Sequence, residues 1–189
     1  DMSDIDVVLL CTPTHFRPEH FKAAIEAGKH VFMEKPCAID PVGIRTVIAA
    51  SKVATSKGLT VITGNQRRHR KDYWEAYIQV RNGLIGEVIS ATSHWNQGAW
   101  WNKKQRPEWS DMEYCIFDFF SVDYYFENNK RMLHTARQID GCDGNVSEQI
   151  IGSKGIAQLN DNGNIHILDW EGNTLWKYDY ESKPVNNPY

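Results

Sequence analysis

The sequence predicts an α/β portion followed by an α+β portion: a partial parallel sheet, then a second, mainly antiparallel β-sheet domain. Three observations carry this. In the first third, short β-branched runs alternate with stretches whose apolar residues recur at helical spacing, which implies parallel strands joined by crossover helices. Beyond Gly86, apolar and polar residues alternate with a period of two, the mark of strands with one wet face. Short polar turns containing glycine separate the later runs, as hairpins require.

The elements follow in order. The run from Ile5 to Cys11 is almost wholly apolar and predicts a strand covered on both faces, broken by Thr12-Pro13-Thr14-His15. Pro18 suits a first helical turn, because its missing N–H would be unpaired there anyway. Phe21, Ala24 and Ile25 then line one helix face, and Gly28 ends it. His30 to Met33 is the second strand. Asp40 and Pro41 are an N-cap and a first helical residue. Ile44, Val47, Ile48, Ala50 and Val53 give the helix an apolar face before Gly58, and Leu59 to Thr63 is the third strand.

A helix is expected over Lys71–Arg81, closed by Asn82-Gly83. Strands follow at Glu87–Trp95 and as a pair between Asp118 and Gln138, joined at Glu127–Lys130. Further hairpins turn at Gly152–Gly155, Asp161–Asn164 and Glu171–Asn173. The division predicted is an α/β portion over residues 1–70 and a mainly antiparallel β portion over 71–189.

Composition narrows the function classes. With 41% hydrophobic and 24% charged residues, the 189-residue chain has the make-up of a globular protein. A net charge of −3 offers no footprint for nucleic acid or an anionic membrane. No apolar run approaches the roughly 20 residues that a membrane helix needs. Cys11, Cys37, Cys115 and Cys142 form no metal-type cluster, and the two in or beside strongly apolar stretches read as reduced, buried thiols. No metal site is expected.

In an open parallel sheet, ligands bind beyond the carboxyl ends of the strands. Three polar segments fall there: Thr12-Pro13-Thr14, Glu34-Lys35-Pro36 and Gly64-Asn65-Gln66-Arg67-Arg68. An ammonium at Lys35 suits proton exchange with a hydroxyl, and Glu34 suits a ribose hydroxyl. On residue types alone the two also read as a solvated charge pair at a strand end. Trp95, Trp100, Trp101 and Trp109 cluster in sequence with amide and guanidinium side chains, which suits a sugar ring or, equally, a packed interface.

The run Val31-Phe32-Met33-Glu34-Lys35-Pro36 resembles the EKP signature of the Gfo/Idh/MocA oxidoreductases. Thr12-Pro13 resembles that family's TP loop, and Ala23 to His30 the helix between the two. Gly64 to Arg68 resembles the next strand-end motif, Ile85-Gly86-Glu87 the entry to the second domain, and Gly152 to Gly155 a later turn. This resemblance implies a partial Rossmann-type domain that binds NAD or NADP. It assigns cofactor contacts to Thr12, Pro13, Glu34, Lys35, Pro36 and Gln66, and proton transfer to Lys35. Substrate contacts fall to Arg67, Arg68, Trp95, Trp100 and Trp101. It further implies a small sugar, cyclitol or related polyol as substrate and a homo-oligomer formed through the β-sheet, with neither nucleic acid nor membrane as partner.

Two departures qualify the resemblance. No GxGxxG turn occurs, and the stretch from Trp109 to Phe120 passes directly from Cys115 to strand-like sequence where the family carries a His-bearing helix. The expectation is a sequence incomplete at its N-terminus, with an internal gap near 115–118, that does not turn over alone. His15 and His20 flank Arg17, at a position where many members carry His; His69 and His94 could reach the site, but a lone histidine on a polar face is more often structural. A non-catalytic binding or dimerisation module and an NAD-dependent glycoside hydrolase are the rival readings. Cytoplasm is the default compartment, with export left open.

Overall fold

The computed structural model describes residues 4–98, 119–161 and 163–185. The chain divides into two compact units, Asp1–Gln66 and Arg67–Tyr189.

In the first unit, β1 (Val7–Leu10), α1 (Arg17–Glu26), β2 (His30–Met33), α2 (Pro41–Ser56) and β3 (Val61–Thr63) alternate as expected. The strands lie in the order β1-β2-β3 and all run parallel, with Leu10 beside Met33 and Met33 beside Thr63. Asp40 caps α2 by accepting the Gly43 N–H at 2.6 Å, and Pro41 is the first residue of that helix. Gly28 ends the α1 turn with φ 72°, a conformation that costs a residue with a Cβ.

Leu10, Val31 and Met33 from the sheet pack with Phe21 and Ile25 of α1 and Ala50 and Ala54 of α2. Both helices serve this one core. The opposite face corrects the expectation of a strand covered on both sides: Val7 is 53% and Leu9 68% exposed. A continuous apolar run reports hydrophobicity without reporting how many layers cover it.

The second unit contains α3 (Lys71–Arg81) and β4 (Val88–Gln97), β5 (Phe119–Tyr125), β6 (Arg131–Gln138), β7 (Asn145–Gly152), β8 (Gly155–Asn160), β9 (His166–Asp169) and β10 (Thr174–Lys177). One sheet joins these strands in the order β10-β9-β8-β7-β4-β6-β5. Every neighbouring pair is antiparallel except β4 and β6, which run parallel from Ser90 beside Arg131 to Gln97 beside Gln138. Ala157, Leu159, Ile165, Ile167 and Tyr178 form the core with Ala76 of α3 and Ile85. Gly86 combines φ 73° with a backbone against which a Cβ would strike the Ser153 hydroxyl, so the entry to β4 requires glycine. Among the described residues no helix is long and apolar enough to cross a membrane.

Candidate functional site at the strand ends

The parallel register carries the three predicted segments to one edge of the first unit's sheet. The ladder continues one residue past the strands. The Glu34 N–H donates to the Leu10 carbonyl at 3.0 Å and the Gly64 N–H to the Met33 carbonyl at 2.9 Å. Cys11, Glu34 and Gly64 therefore follow one another across the sheet edge, with Thr12 one residue beyond.

Gly64 matters because of what lies over it. A Cβ there would come within 2.7–2.8 Å of the Glu34 carboxylate, closer than real contacts allow. The bare α-carbon lets that carboxylate lie against the tip of β3. The carboxylate also accepts the Lys35 N–H at 3.2 Å. The Lys35 side chain is exposed, and among the described residues nothing holds its ammonium. Pro36, exposed as well, follows across a cis peptide bond. Thr12 is half-buried, with its hydroxyl 3.3 Å from Nδ1 of His20, while Pro13 is exposed. Gln66 is half-buried at the end of this unit.

Arg17 is a member of this edge that the sequence reading left without a role. It is buried at the start of α1 and donates to the carbonyls of Thr12, Glu34 and Pro36. The signal was present: Arg17 stands four residues before Phe21, on the face that α1 turns inward. Its guanidinium also opposes the burial that pushes the Cys37 thiol above its ordinary pKa. Cys11, by contrast, is exposed rather than buried, because it lies past the last paired residue of β1.

The proposed substrate residues lie in the second unit. Arg67 pairs with Glu148, approaches Asp161 at 3.3 Å, and sits 4.8 Å from the Trp95 ring and 5.1 Å from that of Tyr73. Burial raises the Glu148 pKa, with Arg67 and a 3.0 Å hydrogen bond from the Tyr73 hydroxyl acting against it. The Tyr73 phenol is itself pushed up, first by burial and then by Glu148. Arg67 is thus committed within its own unit, and Arg68 is exposed. Trp100, Trp101, Trp109 and the gap expected near 115–118 lie outside the described residues. His94 and His134 are used across the β4–β6 pair, with Nδ1 atoms 2.7 Å from the Thr135 hydroxyl and 3.2 Å from the Ser93 hydroxyl.

Residues 1–64 match the model of the GFO_IDH_MocA oxidoreductase family with its NAD-binding Rossmann fold. Inositol 2-dehydrogenase of Pseudomonas savastanoi pv. phaseolicola is 27% identical over 224 residues, covering 94% of this chain and 65% of that protein. Over its first third the chain is similar to the Gfo/Idh/MocA family. D-glucoside 3-dehydrogenase of Escherichia coli is 35% identical over 88 residues, 47% of this chain and 24% of its own length. The solved structure of an inositol dehydrogenase homologue of Azotobacter vinelandii, complexed with NADH and myo-inositol, superposes with a TM-score of 0.78. That likeness covers 96% of this chain and 58% of that one at 13% identity, and it is a likeness of fold. The matched segment spans 24–28% of the first curated relatives. These Gfo/Idh/MocA relatives agree with the architecture seen here, a parallel Rossmann-like sheet followed by a larger mixed one.

Proposed function

We propose that this chain supplies the nicotinamide side of an NAD(P)-dependent reaction centre acting on a sugar, cyclitol or related polyol, with Lys35 as its acid–base group. The observation that carries the reading is the convergence of Thr12, Glu34, Lys35 and Gly64 at one edge of a parallel sheet. A family of nicotinamide oxidoreductases and relatives named for inositol and a glucoside support the substrate class.

The residues suit the cofactor's nicotinamide and ribose end. Gly64 leaves the tip of β3 bare, so Glu34 presents a carboxylate to a ribose hydroxyl, and the Thr12–Pro13 turn borders the ring. The cofactor, when bound, carries the hydride. Lys35 moves the proton: its exposed ammonium is unclaimed among the described residues, and it exchanges a proton with the hydroxyl on the reacting carbon. Gln66, two residues past Gly64, is a further proposed cofactor contact. Arg67, Arg68 and Trp95 are proposed substrate contacts, although Arg67 would have to act while paired with Glu148.

Amide NMR spectra of the chain, titrated with NADH, reduced nicotinamide mononucleotide and myo-inositol, test this. The expected perturbations cluster at Thr12, Glu34, Lys35, Gly64 and Gln66, and both nucleotides produce them. Lys35→Ala is expected to leave nucleotide binding within a few-fold. Perturbations confined to other residues, or none at millimolar nucleotide, sink the reading. The 189 residues alone are expected not to reduce NAD or NADP, as followed by absorbance.

Association of two copies through the β-sheet is a second reading. Phe119 and Tyr125, on the edge strand β5, are each 68% exposed, which favours it. Trp170 is also exposed, whereas Trp176 packs against the core. Sedimentation equilibrium of Trp170→Ala and Tyr125→Ser checks this, and a wild-type monomer at high concentration rejects it.

A further inference from the structure

Arg17 is 7% exposed, and among the described residues no carboxylate lies within ion-pair distance of it. Its Nε donates to the Thr12 carbonyl at 2.8 Å, and its Nη1 to those of Glu34 and Pro36 at 2.9 and 2.6 Å. Burying a guanidinium without a counter-ion is unfavourable unless its donors are satisfied, and here main-chain oxygens do that. The choice of oxygens is informative. Glu34 and Pro36 are the residues on either side of Lys35, and Thr12 belongs to the tip of the adjacent strand. The loop bearing Lys35 is therefore gripped before and after that residue and tied sideways to the neighbouring loop. A lysine could not replace the fork, since one ammonium lacks its planar spread of donors.

We propose that Arg17 is the positioning residue of this centre: it clamps the loop after β1 to the loop after β2 and so sets the direction from which Lys35 offers its ammonium. The catalytic sense of this rests on the reading of Lys35 given above, whereas the clamp itself does not.

The test compares the full chain with Arg17→Met, Arg17→Lys and Arg17→Ala by amide hydrogen exchange and thermal midpoint. In Arg17→Met, the Lys35 and Glu34 amides are expected to exchange about tenfold faster or more, while Val31 and Met33 within β2 keep their protection. Methylguanidinium added to Arg17→Ala restores slow exchange, which a residue that merely packs a helix would not show. Arg17→Lys, with the charge but not the fork, stays close to Arg17→Met. It carries the comparison by itself should Arg17→Met not fold. Unchanged exchange at Lys35, or equal loss at Val31 and Met33, overturns the clamp.

Titration with reduced nicotinamide mononucleotide then reads the consequence, an affinity about tenfold weaker in Arg17→Met. If the wild-type chain does not bind this nucleotide, the functional reading falls and the exchange data still decide the clamp. If wild type and Arg17→Met bind equally well, the positioning role is overturned and the functional reading survives.

Discussion

Among the described residues, the buried charge of the first unit is a cation, Arg17, held by main-chain carbonyls; that of the second is an anion, Asp72, held mainly by side chains. Asp72 is 0% exposed. It takes two bonds from the Arg70 guanidinium, at 3.1 and 2.6 Å, one from the Tyr180 hydroxyl at 3.1 Å and one from the Tyr73 N–H at 2.9 Å. Arg70 reaches on to Asp161 at 2.6 Å. The Asp72 network joins α3 to the turn after β8 and to the segment after β10. Arg17 instead fixes the course of two loops and leaves their side chains unengaged. The contrast separates two uses of a buried charge, one cross-linking a sheet domain and the other fastening two strand-end loops.

Removing each anchor should break the contrast in its own unit. Asp72→Ala leaves the half-buried Arg70 without its Asp72 partner, an expected loss of about 3–5 kcal/mol. Native-state hydrogen exchange should show it at Ala157, Leu159 and Ile167 and spare Leu10 and Met33. Phe21→Ala reverses the pattern, with about 3–5 kcal/mol lost to the cavity in the first unit's core. Uniform loss of protection in either variant would mean that the two units do not unfold separately.

Smaller changes sharpen the comparison at the edge itself. Gly64→Ala forces the Glu34 carboxylate aside, at a cost of about 1 kcal/mol because a flexible side chain can yield. Amide shifts at Glu34 and Lys35 should report the movement. Asp40→Ala removes the α2 cap and about 1 kcal/mol, measured by denaturant midpoint. In the second unit, the bonds from Asn173 hold the Asp169 pKa below its ordinary value. A carboxylate with a lowered folded pKa stabilises the fold above its unfolded pKa and loses that contribution as pH falls through the folded one. Asp169→Asn should therefore melt slightly below wild type near neutrality, and the gap should close below about pH 4.

Much of the fold was legible. The helix over Lys71–Arg81, the Asp40 cap and the turns at Gly152–Gly155 and Glu171–Asn173 all rest on local chemistry that a sequence displays. The sheet's order was not. Parallel pairing of β4 with β6 places β5 outside both, an arrangement settled by contacts distant in sequence. The strand-end segments were legible for the same reason that Arg17 and Asp72 were not. Polar residues after an apolar run announce themselves, whereas a charge within an inward helix face, four residues before Phe21 or Ala76, passes for a surface residue.

A guanidinium that holds carbonyl oxygens is indifferent to which side chains those peptides carry. Positions 12 and 34 could therefore exchange residues while the scaffold beneath them stays fixed. The first unit has its fastening built into the one part of the chain that every replacement preserves.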